Sequence, residues 1–174
     1  MKRVVILASG SGTLAQAIFD ARENELTDAD IVAVISDQPD AAVLDRAHKA
    51  RIETFTIPML PDRNEWDREL ETLIAALKPD LVVSAGFMRI LSERITSKFK
   101  IINSHPALLP LYPGAHAVRD ALTAGATETG TTIHWVDAGV DTGKVIAQER
   151  VEILPEDTEE SLHERIKIIE RGLI

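Results

Sequence analysis

Five apolar residues in a row, Val4–Ala8, run directly into Ser9-Gly10-Ser11-Gly12-Thr13 and then into Leu14–Ala21, which has helical character. A strand that is apolar at every position has to be buried on both faces, as happens in parallel sheets covered by helices. A glycine turn between such a strand and a helix aims backbone N–H groups out of the helix N-terminus, which can cradle a phosphate. The same alternation then recurs. Strands are read at Ile31–Ser36, Thr54–Ile57, Leu81–Ala85 and Ile101–His105, and later at Gly130–Val136 and Lys144–Val151. Helices are read at Ala41–Ala50, from an Asn64 cap to Leu77, at Ser92–Lys98 and Ala117–Ala124 with Gly125 as its cap, and from about Glu159 onward. Alternating units of this kind predict a single α/β domain over residues 1–174. Its core is one doubly wound, mainly parallel sheet with helices on both faces.

Composition removes several classes of function. At 174 residues the chain has the size of one ordinary domain. A net charge of −9 opposes broad attraction to nucleic acid or an anionic membrane, while leaving room for a local phosphate pocket. The chain has no cysteine, hence no disulfide, thiolate metal site or cysteine nucleophile. The apolar run behind Met1-Lys2-Arg3 is too short for a secretory signal, and no stretch approaches a membrane span, so a soluble cytoplasmic protein is expected. The histidines and carboxylates lack close metal-ligand spacing such as H-E-x-x-H, and no metal is expected.

The chemistry concentrates at the end of the fifth strand, Ile101-Ile102-Asn103-Ser104-His105-Pro106. Period-2 alternation puts Asn103 and His105 on one face, and Pro106 stops the strand. Polar groups at the carboxyl ends of strands are where open α/β sheets place their sites. A later loop, Asp137-Ala138-Gly139-Val140-Asp141-Thr142-Gly143, could add a carboxylate. Asn103 and a protonated His105 would stabilise a developing oxyanion, and Asp141 would support the imidazole and help carry a proton from an attacking amine. His134, mid-strand among apolar neighbours, is read as structural or as orienting Asp141. His116 is placed at the rim of the pocket, His48 and His163 on helix surfaces, and Trp66 and Trp135 in the packing. Met88, Ile90 and Leu91 could form an apolar slot for a flat ring. The glycine turn stays open between three readings. Gly10-x-Gly12-x-x-Ala15 with Asp37 fits a loose dinucleotide fingerprint, the N–H groups of Ser11, Gly12 and Thr13 fit a monophosphate, and a tight turn needs no ligand.

At Asn103-Ser104-His105-Pro106-Ala107-Leu108-Leu109-Pro110 with Tyr112-Pro113-Gly114, and again at Asp137–Gly143, the chain resembles the formyltetrahydrofolate-dependent formyltransferases. The resemblance spans essentially the whole chain and implies a Rossmann-like fold. It implies transfer of the formyl group of the co-substrate 10-formyltetrahydrofolate to the amine of glycinamide ribonucleotide, a step of purine biosynthesis. Asn103, His105 and Asp141 match the catalytic positions, with His134 supporting. Ser11, Gly12, Thr13 and Leu14 match the loop that holds the phosphate, which favours a monophosphate over a dinucleotide. Glu170 matches the position that holds ribose hydroxyls, with Lys167 one turn earlier, and Gly86 and Pro106 fall in the same substrate set. Arg63, Met88, Arg89, Ile90, Leu91, Asp137 and Val140 match segments around the folate. Small-molecule partners and a monomer or homodimer are expected.

Two departures stand out. Family members commonly carry Asn where this chain has Leu14, so a side-chain contact to phosphate gives way to the backbone N–H alone. Members also usually continue beyond the point where this sequence stops, at Ile174 inside the last helix. Three rivals share part of the pattern. A tRNA formyltransferase needs an RNA-binding domain, a formyltetrahydrofolate deformylase carries an N-terminal regulatory domain, and a dinucleotide-binding regulatory module would use Gly10, Gly12, Ala15 and Asp37 but neither Asn103 nor His105.

Overall fold

The computed structural model describes residues 1–174, with seven strands and six helices in two compact units, Met1–Ile102 and Asn103–Ile174. In the first unit β1 (Lys2–Leu7) pairs in parallel with β2 (Ala29–Ser36) and with β4 (Leu81–Ser84), and β2 pairs in parallel with β3 (Thr54–Thr56). Val5, Ile6, Leu7, Ala33 and Val34 are fully buried, which accounts for strands without polar alternation. β5 (Ile101–His105) begins at the end of the first unit and finishes in the second. In the second unit β6 (Glu128–Trp135) and β7 (Val145–Glu152) are antiparallel. The strand order is β3-β2-β1-β4-β5-β6-β7, a mainly parallel sheet with an antiparallel final pair.

The helices are α1 (Thr13–Glu23), α2 (Ala42–Lys49), α3 (Arg63–Leu77), α4 (Glu93–Thr96), α5 (Ala117–Thr123) and α6 (Glu159–Leu173). Local chemistry sets their ends. The cap of α3 is Asp62 and not Asn64, because the Asp62 carboxylate accepts the Asn64 N–H at 2.8 Å. Gly125, at φ 66, lies one residue beyond the α5 cap. Its N–H donates to the Leu122 carbonyl and that of Ala126 to Ala121, which closes the helix. Thr158 and Ser161 cap α6 reciprocally. Behind that cap, Leu162 and Ile166 are fully buried against Val118 and Val151, at about 1.5–3 kcal/mol for each large side chain removed from water.

Trp66 packs as expected. It is fully buried, donates Nε1–H to the Ile57 carbonyl at 3.0 Å and stacks on Phe87 at 6.3 Å. Trp135 does not, being 38% exposed at the end of β6, where the chain leaves the sheet for the Asp141 loop.

Candidate active site

In the second unit the strand alternation does the first sorting. Asn103 and His105 leave β5 on one side and Ser104 on the other. The Asn103 amide nitrogen lies 3.4 Å from His134 Nε2. His134 Nε2 is also 3.5 Å from Asp141 Oδ1, and Asp141 Oδ2 is 3.4 Å from His105 Nδ1. His105 Nε2 is 2.8 Å from the Tyr112 carbonyl. Asn103, His134, Asp141 and His105 therefore form one polar chain, with His105 and His134 buried.

The backbone holds this chain under some strain. Asp141 at φ 54 and Tyr112 at φ 52 both occupy the left-handed region, which is uncommon for non-glycine residues and clusters at functional sites. The Gly114 N–H donates to Asp141 Oδ2 at 2.8 Å and fixes the carboxylate. Asp137 shapes the same loop by accepting from the Gly139 N–H at 3.0 Å and from the Thr142 hydroxyl at 2.6 Å. Gly143 has to be glycine, because a Cβ there would lie 1.6 Å from the Trp135 carbonyl oxygen. That oxygen also accepts from His134 Nδ1 at 2.9 Å and sets the ring's orientation. Val140 is exposed on the loop.

Protonation states follow from these contacts. Burial opposes charge on His134, but the hydrogen bonds to Asp141 and to the Trp135 carbonyl, with the Asp141 charge, outweigh it and raise its pKa. Burial likewise opposes the Asp141 carboxylate, yet His134, the Gly114 N–H and the charge of His105 bring its pKa down. A neutral His134 that donates Nδ1–H to Trp135 can accept the Asn103 amide at Nε2. Once protonated, it donates Nε2–H to Asp141, and the Asn103 amide is turned loose. His105 has both ring nitrogens facing acceptors, Asp141 and the Tyr112 carbonyl, and the imidazolium donates to both. For His105 to reach a substrate oxygen through Nε2, the Tyr112 carbonyl has to be exchanged.

Ser104, which motif reasoning passed over, donates its hydroxyl to Glu170 Oε1 and lies 3.4 Å from Thr131 Oγ1. Its alternation opposite Asn103 and His105 was the available signal. Burial raises the Glu170 pKa despite that hydrogen bond. Lys167 pairs with Glu164 at 2.7 Å and adds only charge near Glu170. Pro106 is half-buried, and His116 caps α5 at the surface.

In the first unit Gly12, at φ 72, is the N-cap of α1. A Cβ on Gly12 would lie 2.5 Å from Val43 Cγ2, so glycine is required on both counts. The loop's carbonyls are occupied. Gly10 accepts from the Val43 N–H at 3.1 Å, Ser11 from Arg46 Nε at 2.7 Å and Gly12 from the Gln16 N–H at 2.8 Å. The first N–H groups of the helix that follows have no side-chain cap. α1 is also the one helix of six without an acidic residue in its first turn. The Leu14 side chain is buried, so only its backbone can serve a ligand.

Asp37 is no ribose ligand. Its side chain is 1% exposed, and its oxygens are taken by Ser9 at 2.5 Å, Arg89 at 2.7 Å and Gln38 at 3.1 Å. Burial opposes its charge, but the Ser9 and Arg89 contacts prevail and lower its pKa. Beyond β4, Gly86 at φ 74 turns the chain into Phe87–Leu91. There Met88 is 71% and Ile90 60% exposed, between buried Phe87 and Leu91. Arg63 reaches this segment, donating to the Ile90 carbonyl while it pairs with Asp67 at 2.9 Å. An open groove of about 750 Å³ between α1 and α2 is lined by Arg22, Arg46, Lys49 and Arg51 and by none of the sequence-predicted site residues. Basic side chains in the last turns of α1 and α2 offset the helix dipoles there.

Comparison with known proteins accords with this geometry. The formyl transferase family model matches residues 2–174. The chain is 47% identical over 176 residues to phosphoribosylglycinamide formyltransferase of Mycobacterium tuberculosis, covering 99% of this chain and 81% of that protein. With the Escherichia coli enzyme of the same name the identity is 40%, over 98% and 82% of the two chains. The crystal structure of glycinamide ribonucleotide transformylase 1 from Symbiobacterium toebii superposes with a TM-score of 0.97 at 39% identity, over 99% of this chain and 84% of that one.

Proposed function

Because the chain belongs to the formyl transferase family and is a formyltransferase by that membership, we propose that it transfers a formyl group to the amine of glycinamide ribonucleotide. The co-substrate 10-formyltetrahydrofolate supplies the formyl group and leaves as tetrahydrofolate. The observation that carries this reading is the polar chain Asn103–His134–Asp141–His105, which is what attack by an amine on an acyl carbon requires.

As the amine's new C–N bond forms, the formyl oxygen gathers negative charge, which it gives back when the tetrahedral intermediate collapses and the bond to the folate nitrogen breaks. Asn103 donates to that oxygen once a protonated His134 has turned to Asp141. His105 donates beside it through Nε2 after giving up the Tyr112 carbonyl. The proton lost by the amine passes, directly or through water, toward Asp141, and the folate nitrogen takes one up as it leaves. The open N–H groups of Ser11 to Leu14 hold the ribonucleotide phosphate, and Glu170 accepts from the ribose hydroxyls. Lys167 supplies charge near them, and Gly86 and Pro106 border the ribonucleotide. Met88 and Ile90 offer apolar surface to the folate ring and Leu91 packs beneath them, with Arg63, Arg89, Asp137 and Val140 at its edges. Both units serve one formyltransferase domain with small-molecule partners in the cytoplasm. No helix is long and apolar enough to cross a membrane.

The test is an absorbance assay for tetrahydrofolate release from 10-formyltetrahydrofolate. Release that strictly needs glycinamide ribonucleotide is expected. Release without it would overturn the transferase reading in favour of hydrolysis.

A further inference from the structure

Asp37 is the acidic member of the dinucleotide-like pattern, and the reaction as described gives it no task. Yet it is the centre of a buried network at the ends of β1 and β2. Its Oδ1 accepts the Ser9 hydroxyl, and Ser9 Oγ in turn accepts the Met88 N–H at 2.9 Å. Its Oδ2 accepts Arg89 Nε–H at 2.7 Å. The next carbonyl along, that of Ile90, is held by Arg63. Three consecutive residues, 88 to 90, are thus fastened by side chains from the loops that follow β1 and β2 and from α3. A buried carboxylate is costly unless its partners are all in place, so these contacts stand or fall together. What they hold is a short segment that keeps two apolar side chains, Met88 and Ile90, out in solvent, an arrangement typical of surfaces that meet a ligand.

We propose that Asp37 is a positioning residue for the formyl donor, acting through Ser9 and Arg89 to hold Met88–Leu91 in the shape that receives the folate ring. This rests on the assignment of that segment to folate made above. A ligand wall held in shape before binding avoids the ordering cost at the moment of binding, so its loss appears in affinity for one substrate only.

The experiment measures kcat and both KM values for Asp37→Asn, Ser9→Ala and Ile90→Asp beside the unaltered chain. Asparagine keeps the shape of Asp37 but removes the charge that faces Arg89 and leaves a single acceptor oxygen where Ser9, Arg89 and Gln38 all donate. Asp37→Asn is expected to raise the KM for 10-formyltetrahydrofolate about tenfold, with kcat and the ribonucleotide KM within about twofold. Ser9→Ala is expected to shift the donor KM in the same direction, about threefold, and decides the matter if Asp37→Asn does not fold. Ile90→Asp probes the segment directly and is expected to raise the donor KM. If Ile90→Asp raises it while Asp37→Asn and Ser9→Ala leave it unchanged, the positioning role is overturned and the folate assignment stands. An Ile90→Asp variant with unaltered donor KM overturns the folate assignment itself. Equal increases in both KM values with a lower Tm would make Asp37 a general structural residue and overturn the proposal.

Discussion

The polar groups of the two units behave in opposite ways. In the first unit they are paired with fixed partners. Asp37 sits among Ser9, Gln38 and Arg89, Arg63 against Asp67, and each carbonyl from Gly10 to Gly12 has its own donor. Asp37 stays a carboxylate throughout the neutral range, its pKa being lowered by Ser9 and Arg89 against the cost of burial. In the second unit Asp141 is shared between two imidazoles, and one proton on His134 decides whether its Nε2 faces Asn103 or Asp141. Holding a ligand calls for groups that do not change. Moving a proton calls for groups with two partners and a choice between them.

The sharpest way to break this contrast is Asn103→Ala. If Asn103 meets the substrate mainly in the transition state, kcat falls about 100- to 1,000-fold while both KM values move little. A loss confined to KM in steady-state kinetics would shift Asn103 to the holding side. Gly12→Val is the counterpart in the first unit. Its side chain would strike Val43, placed 2.5 Å from the new Cβ, so affinity for the ribonucleotide should fall by about tenfold or more while folate binding survives. Titration calorimetry with each ligand separates the two, and equal loss of both would point to a damaged fold.

A smaller effect is expected from pH. Asp141 is held below its ordinary 3.8 and His134 above its ordinary 6.5. The lowered carboxylate contributes stability that is present above its unfolded value and lost as pH falls through the folded one. The raised imidazole contributes stability that is complete below its unfolded value and lost as pH climbs through the folded one. Their pairing is therefore strongest between about pH 4 and about pH 6.5 and weakens above that. Asp141→Asn should flatten the corresponding fall in Tm followed from about pH 6 to about pH 9. An unchanged slope would contradict the pairing. Smallest is Thr158→Ala, which removes the α6 cap at about 1 kcal/mol by denaturant titration and leaves kcat and KM alone. A kinetic change would show that the start of α6 is coupled to Glu170 near its end.

Much of the fold was legible because burial on both faces leaves an unmistakable trace. The Val4–Ala8 run marks β1 to within a residue or two, and β5 has the predicted bounds. Caps were less legible where two candidates adjoin. Asp62 and Asn64 both suit an N-terminus, and only the backbone geometry selects Asp62. At the candidate site, alternation already places Asn103 and His105 on one face of β5. No periodicity could show that His105 Nε2 meets the Tyr112 carbonyl, because that contact depends on a left-handed turn at a non-glycine residue. Asp37 shows the same limit from the other direction. Its spacing from the glycine turn suggested a ribose, whereas its burial and its Arg89 partner give it an internal task.

The most direct measurement is the single-turnover rate of formyl transfer by rapid quench, with both substrates raised to saturation, for Asn103→Ala beside Gly12→Val. If the Gly12 loop holds and the Asn103–Asp141 chain reacts, Gly12→Val approaches the unaltered rate as ribonucleotide is raised, and Asn103→Ala stays about 100-fold slow or worse at any concentration. Recovery of the full rate by Asn103→Ala at saturation would contradict the division of labour.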